Sequence, residues 1–204
     1  MQQILHGKND TENGLRDQVL RWKERYDRVY AELDIAEKTL ENERKTSTST
    51  DSGSIEKQER LKELNTYLGL TDVTGSGVVI TVKDNTNSKF VTSNDLVHDG
   101  DLRAIVNEIK NIGADAISIN GQRIVPGTVI SCAGAVVQIN GEPIGAPFII
   151  EAIGSNALHN NLLRPGSFIE QYGEQISIDV KKSDNITIKK YNGVLTNKYI
   201  KNAE

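Results

Sequence analysis

An α+β fold is predicted by three features of the sequence. A long amphipathic helix pattern stands near the N-terminus, a strand–helix–strand run covers residues 78–119, and alternating apolar residues close the chain over 176–188.

The helix pattern is a heptad seam. Leu15, Val19, Trp22, Tyr26, Val29, Leu33, Ala36 and Leu40 recur at alternating steps of four and three, the spacing of a helix that wraps a partner helix. Opposite charges four apart (Asp17 with Arg21, Glu24 with Arg28, Asp34 with Lys38, Glu41 with Lys45) favour an exposed helix by ~0.2–0.5 kcal/mol each. In a parallel homodimer Gln18 faces Lys23, Arg25 faces Tyr30 and Glu32 faces Glu37. No attractive pair results, so the flanking charges do not select that geometry, and an antiparallel or foreign partner stays open. Residues 1–14 read as a frayed start. Thr46 to Ser54 carries no apolar residue and reads as a polar linker.

Leu61, Leu64 and Leu68 share one face of a second helix, stopped at Gly69. Val78, Val79, Ile80 and Val82 form a buried strand after Gly75-Ser76-Gly77. Those glycines are read as a turn rather than a phosphate cradle, because a cradle needs a helix N-terminus next and a strand follows. Asp84 to Asn94 is loop-like. Asp99 or Asp101 opens a helix with Leu102, Ile105, Val106, Ile109 and Ile112 on one face and Gly113 as its stop. Ala116, Ile117 and Ile119 form a short strand. Asn120-Gly121 and Asn140-Gly141 are hairpin turns, with an irregular edge over 124–130 and strands over 135–139 and 148–153. Ser155 caps a helix with Leu158, Leu162 and Leu163, and Ser167 with Glu170 fits a capping box. Ile176, Ile178 and Val180, then Ile186 and Ile188, read as closing strands.

The resulting order is β-α-β-β-α-β with extra hairpin strands, that of a ferredoxin-like α/β plait. The predicted organisation is a coiled-coil helix and linker over 1–54, the plait domain with its lead-in helix over 55–197, and a frayed tail over 198–204.

Composition excludes several functions. A net charge of -4 and a pI near 5.5 argue against a phosphate-backbone binder, so no nucleic-acid partner is expected. With one cysteine there is no internal disulfide and no Cys-rich metal site. No apolar run approaches the ~20 residues that span a bilayer, and the chain as written reads as soluble. Cys132 lacks a neighbouring base in sequence and reads as a small buried residue between apolar strands. His6, His98 and His159 are scattered, and Asp95, Asp99 and Asp101 lack calcium-loop spacing. No catalytic residue, metal or cofactor is therefore predicted. The ligand-binding candidates are Asn120, Gln122 and Arg123: polar amides and a bidentate cation just after a buried strand. The alternative is that Asn120 tolerates a left-handed turn and Arg123 is solvated.

The run L-R-A-I-V-N-E-I-K-N-I-G-A-D-A-I-S-I-N-G-Q-R (Leu102 to Arg123) is followed by C-A-G at Cys132 and by I-N-G-E-P-I-G-A-P-F-I-I-E-A-I-G ending at Gly154. With G-L-T-D-V-T-G-S-G-V-V-I-T-V-K-D (Gly69 to Asp84), these motifs resemble the YlxW/YlxX-type family of bacterial proteins of unknown function, often labelled division-initiation proteins. The resemblance covers residues 55–190. It implies a membrane helix, a coiled-coil stalk and an α/β domain, with genes near those of cell division and the envelope. It assigns no activity. The expectation is a non-enzymatic interaction protein, anchored in a bacterial membrane by a segment absent from this chain, that engages itself or another protein through its N-terminal helix. The alternative is a small-molecule sensor using the Asn120–Arg123 loop.

Overall fold

The computed structural model describes residues 2–48, 52–85, 92, 95–134, 136–172 and 176–195. The chain divides into two compact units, 1–60 and 61–204.

The first unit is helical. α1 runs from Gln2 to Thr48, so the expected frayed start is helix instead. Gly7 and Gly14 cost a helix about 1 kcal/mol each, and with no proline in the segment the helix continues through both. The expected linker is likewise shorter: α1 reaches Thr48 and α2 (Ser52–Tyr67) starts after three intervening residues. Gln58 Nε2 donates to the Arg44 carbonyl at 2.8 Å. In one straight helix those residues would stand ~21 Å apart, so α1 and the start of α2 are not one continuous straight helix. Within α1, Lys38 pairs with Asp34 at 2.6 Å and Lys45 with Glu41 at 3.1 Å, as their spacing requires.

The second unit is mixed α+β with antiparallel sheets. β1 (Val73–Lys83), β2 (Ala116–Ile119), β3 (Gln122–Arg123), β7 (Phe148–Ile153) and β8 (Ser177–Ile188) form a five-stranded sheet in the order β3-β2-β7-β1-β8. β4 (Ile130–Ala133), β5 (Val136–Ile139) and β6 (Glu142–Ile144) form a separate three-stranded sheet. Every recorded pairing is antiparallel. α3 (Asp99–Ile112) connects β1 to β2, and α4 (Ala157–Leu162) and α5 (Phe168–Tyr172) connect β7 to β8.

Strand alternation assigns the core. Val78, Ile80 and Val82 of β1, Ile117 and Ile119 of β2, and Phe148, Ile150 and Ala152 of β7 point to one face. There they meet Leu102, Ile105, Val106 and Ile109 of α3, Leu158 and Leu162 of α4, and Ile130, Val137 and Ile139 of the small sheet. Each such large apolar side chain contributes about 1.5–3 kcal/mol on burial. α3 starts as expected: the Asp101 carboxylate accepts the His98 N–H at 2.8 Å, and Gly113 closes the helix with φ 97.

Two expectations change in β1 and β8. Gly75-Ser76-Gly77 is not a turn but lies inside β1. A Cβ on Gly77 would sit 1.9 Å from the Ala152 carbonyl oxygen, so the glycine permits the close approach of β7. The two closing strands are one, β8, and it carries a bulge. From Gly75 to Gly77 is two steps on β1, whereas their partners Ile186 and Ser183 are three steps apart. The extra residue flips the alternation. Ile178 and Val180 pack into the helix-covered core, while Ile186 and Ile188 join Ala116 and Ile153 in a second cluster. The expected tail over 198–204 lies outside the described residues.

Candidate functional site

The corner where β2 turns into β3 holds the three ligand-binding candidates, and the fold does not bring their side chains together. Asn120 and Gly121 take φ 46 and 80, the left-handed pair that a tight hairpin needs. The Asn120 carboxamide clasps the start of β7: Oδ1 accepts the Ile149 N–H at 2.9 Å and Nδ2 donates to the Pro147 carbonyl at 3.2 Å. Gln122 pairs with Ile119 and Arg123 with Ser118. Neighbouring strand residues point to opposite faces, so Gln122 lies on the helix-covered side and Arg123 on the other.

Arg123 is not solvated; it is 4% exposed. Its stem lies against Gly69, where a Cβ would come within 3.3 Å of Nε. Its Nη1 has no hydrogen-bond partner among the described residues, and neither has the buried Asn140 Oδ1. Asn140 Nδ2 instead donates to the Arg123 carbonyl at 3.0 Å, tying the two hairpins together. Burial pulls the guanidinium pKa below its usual value, and the charge of Asp72 opposes that shift. Asp72 accepts from Lys189 Nζ and from the Lys190 N–H, both at 2.8 Å. Burial raises its carboxyl, but those hydrogen bonds and the two lysine charges outweigh it and leave the pKa lowered. On the Arg123 face, Ser118 donates to Glu151 at 2.9 Å. Asp72, Ser118, Glu151 and Asn140 were not readable as partners, because each contact joins segments far apart in the chain.

Cys132 is exposed on β4, a correction to its expected burial: it shares the face of the buried Ile130 and Val137 but stands near the end of an edge strand of the small sheet, beside Asp99 rather than an apolar side chain. Its Sγ donates to Asp99 Oδ1 at 3.3 Å and accepts the Asp99 N–H at 3.4 Å. Asp99 Oδ2 in turn pairs with Arg103 at 2.9 Å. The Cys132 hydrogen bond lowers the Asp99 carboxyl pKa, against the opposing effect of burial and with the help of the Arg103 charge. The thiol thus touches a carboxylate already engaged by an arginine, which is not the thiol–imidazole arrangement of an activated nucleophile. Among the described residues no group of three or more His, Cys, Asp or Glu side chains is placed to hold a metal, and no helix is long and apolar enough to cross a membrane.

On α1 the seam residues with described side chains form an exposed stripe: Trp22 is 67% exposed, Tyr26 50%, Val29 58%, Leu33 46% and Leu40 47%. The side chains of Leu15 and Val19 lie outside the described residues, and Ala36 is exposed with the rest.

Known proteins resemble this chain in sequence and in fold. UPF0749 protein YlxW of Bacillus subtilis is 32% identical over 130 residues, 60% of this chain and 55% of that protein. UPF0749 protein YlxX of the same organism is 26% identical over 185 residues, 87% of this chain and 77% of that one. UPF0749 protein Rv1823 of Mycobacterium tuberculosis is 33% identical over 104 residues, 47% of this chain and 34% of that protein. The chain therefore matches only about half of YlxW and a third of Rv1823. The crystal structure of an uncharacterized conserved protein from Mycobacterium tuberculosis superposes with a TM-score of 0.57 at 22% identity, over 71% of this chain and 99% of that one, a likeness of fold. The family model described as "Bacterial protein of unknown function (DUF881)" matches residues 60–201. With that match covering most of its length, and with YlxW and YlxX among its relatives, the chain belongs to this YlxW/YlxX-type bacterial family of unknown function.

Proposed function

We propose that the protein is a non-enzymatic interaction module of the bacterial envelope or division apparatus, tethered to a membrane in its natural setting. In this reading α1 pairs as a coiled coil, and the second unit is a ferredoxin-like plait that docks a protein. The observation that carries it is the stripe of Trp22, Tyr26, Val29, Leu33 and Leu40, all exposed on a 47-residue helix. A helix of that length is held in water by a partner rather than by propensity alone. The strand order supports the plait: without β3, the large sheet reads β2-β7-β1-β8, with one crossover helix after β1 and two short helices after β7. The tether rests on the family resemblance. The expected outcome in sedimentation equilibrium is self-association of the full chain, abolished in Val29→Glu/Leu33→Glu with helicity retained by circular dichroism. A wild-type chain that stays monomeric at high concentration would remove self-pairing, and recovery of the natural gene product in the cytosolic fraction would remove the tether.

One observation favours a second reading, in which the plait senses a small anion. The Arg123 guanidinium is buried with Nη1 unpartnered among the described residues, a donor that a carboxylate or phosphate oxygen would satisfy. A thermal-shift screen of anionic metabolites should then yield a stabiliser of the wild type that fails on Arg123→Ala. A screen with no such hit eliminates the sensor.

A further inference from the structure

The direction of pairing follows from the charges beside the stripe. The seam alternates two kinds of position: Tyr26, Leu33 and Leu40 occupy one, Trp22, Val29 and Ala36 the other. Arg25 and Glu32 each flank the stripe one residue before a member of the first kind. Arg25 is held along the margin of the seam, its guanidinium 5.8 Å from the centre of the Trp22 ring.

We infer that α1 pairs with α1 of a second copy running antiparallel, with Tyr26 opposite Val29 and Trp22 opposite Leu33. This rests on the self-pairing reading above and fixes its geometry. In an antiparallel pair the flanking residues of like position meet across the interface. With Tyr26 set against Val29, Arg25 falls beside Glu32 of the second copy, and symmetry repeats the pair. Sliding the helices by one heptad in either direction puts Arg25 beside Arg25 or Glu32 beside Glu32. Reversing one helix to make the pair parallel puts Glu32 beside Glu37. Of these arrangements, only the first joins opposite charges without also setting like charges side by side, and it also lays the stripe against itself over its whole length. The charges therefore specify direction and register together, as repulsive alternatives do in coiled coils. The Gln58 contact at Arg44 lies beyond the last seam residue, Leu40, which remains 47% exposed.

Glu32→Arg in the full chain tests this, because its sign differs between the two directions. In the antiparallel dimer it replaces two attractions by two Arg–Arg repulsions, and the dissociation constant by sedimentation equilibrium should rise roughly ten-fold. The swap Arg25→Glu/Glu32→Arg should restore most of that loss. In a parallel dimer Glu32→Arg relieves the clash with Glu37 and tightens association. Tightening, or no change, overturns the antiparallel arrangement and leaves self-pairing standing. A monomeric wild type overturns both.

Discussion

Gly77 lacks a side chain because the Ala152 carbonyl fills the space one would need. Gly77→Ala should therefore cost roughly 3–5 kcal/mol in urea unfolding, as strand β1 must move off β7 or the alanine must strain. Gly127→Ala, with nothing within 4 Å of its Cβ, should cost under about 1 kcal/mol and serves as the control. Asp72 makes a pH prediction. Its folded pKa is lowered, so its stabilising contribution is present above the unfolded value of ~3.9 and fades as pH falls through the folded value. Asp72→Asn should be less stable than wild type at neutral pH by up to about 1 kcal/mol, given its half-exposed side chain. The gap between the two melting temperatures should close below about pH 4. Residue-scale function was the least legible part of the sequence. Asn120 announced its turn, because an Asn-Gly pair between apolar runs has few alternatives. The burial of Arg123 against Gly69 and the setting of Cys132 beside Asp99 depend on contacts between segments far apart in the chain, and no local pattern records those.

Among the elements, α3 and β7 were legible from their apolar patterns, and the four-residue β2 from the stops on either side of it, Gly113 and Asn120-Gly121. β3 and β4 were hidden by brevity: two and four residues carry no period, and Pro126 between them breaks the signal. β8 misled differently. Its isoleucines keep even spacing throughout, and only pairing with β1 shows that Ile186 and Ile188 serve the opposite face from Ile178 and Val180. The bulge is the physical reason, since one added residue inverts every side chain beyond it. Ile188→Ala should thus cost about 2–4 kcal/mol despite lying outside the main core, whereas Thr187→Ala on the exposed side should cost almost nothing. Chemical denaturation of the two variants separates them.

For the whole molecule, the sequence conveyed a helical part ahead of an α+β part, and the structure divides at residue 60. It did not convey that the hairpin strands form a sheet of their own, because Ile130, Val137 and Ile139 alternate like any half-buried strand. The order of the large sheet bears on how the chain is made. β7 sits between β2 and β1, so Ile80 finds its neighbour in Ile150, 70 positions later, and β1 waits longer still for β8. Such distant pairings close slowly. Chains that stop before Phe148 should be digested readily in limited proteolysis even though they contain β1, α3 and β2. On the ribosome, the early strands emerge around a gap one strand wide, and the greasy sides of that gap stay uncovered until translation has delivered the piece that fits.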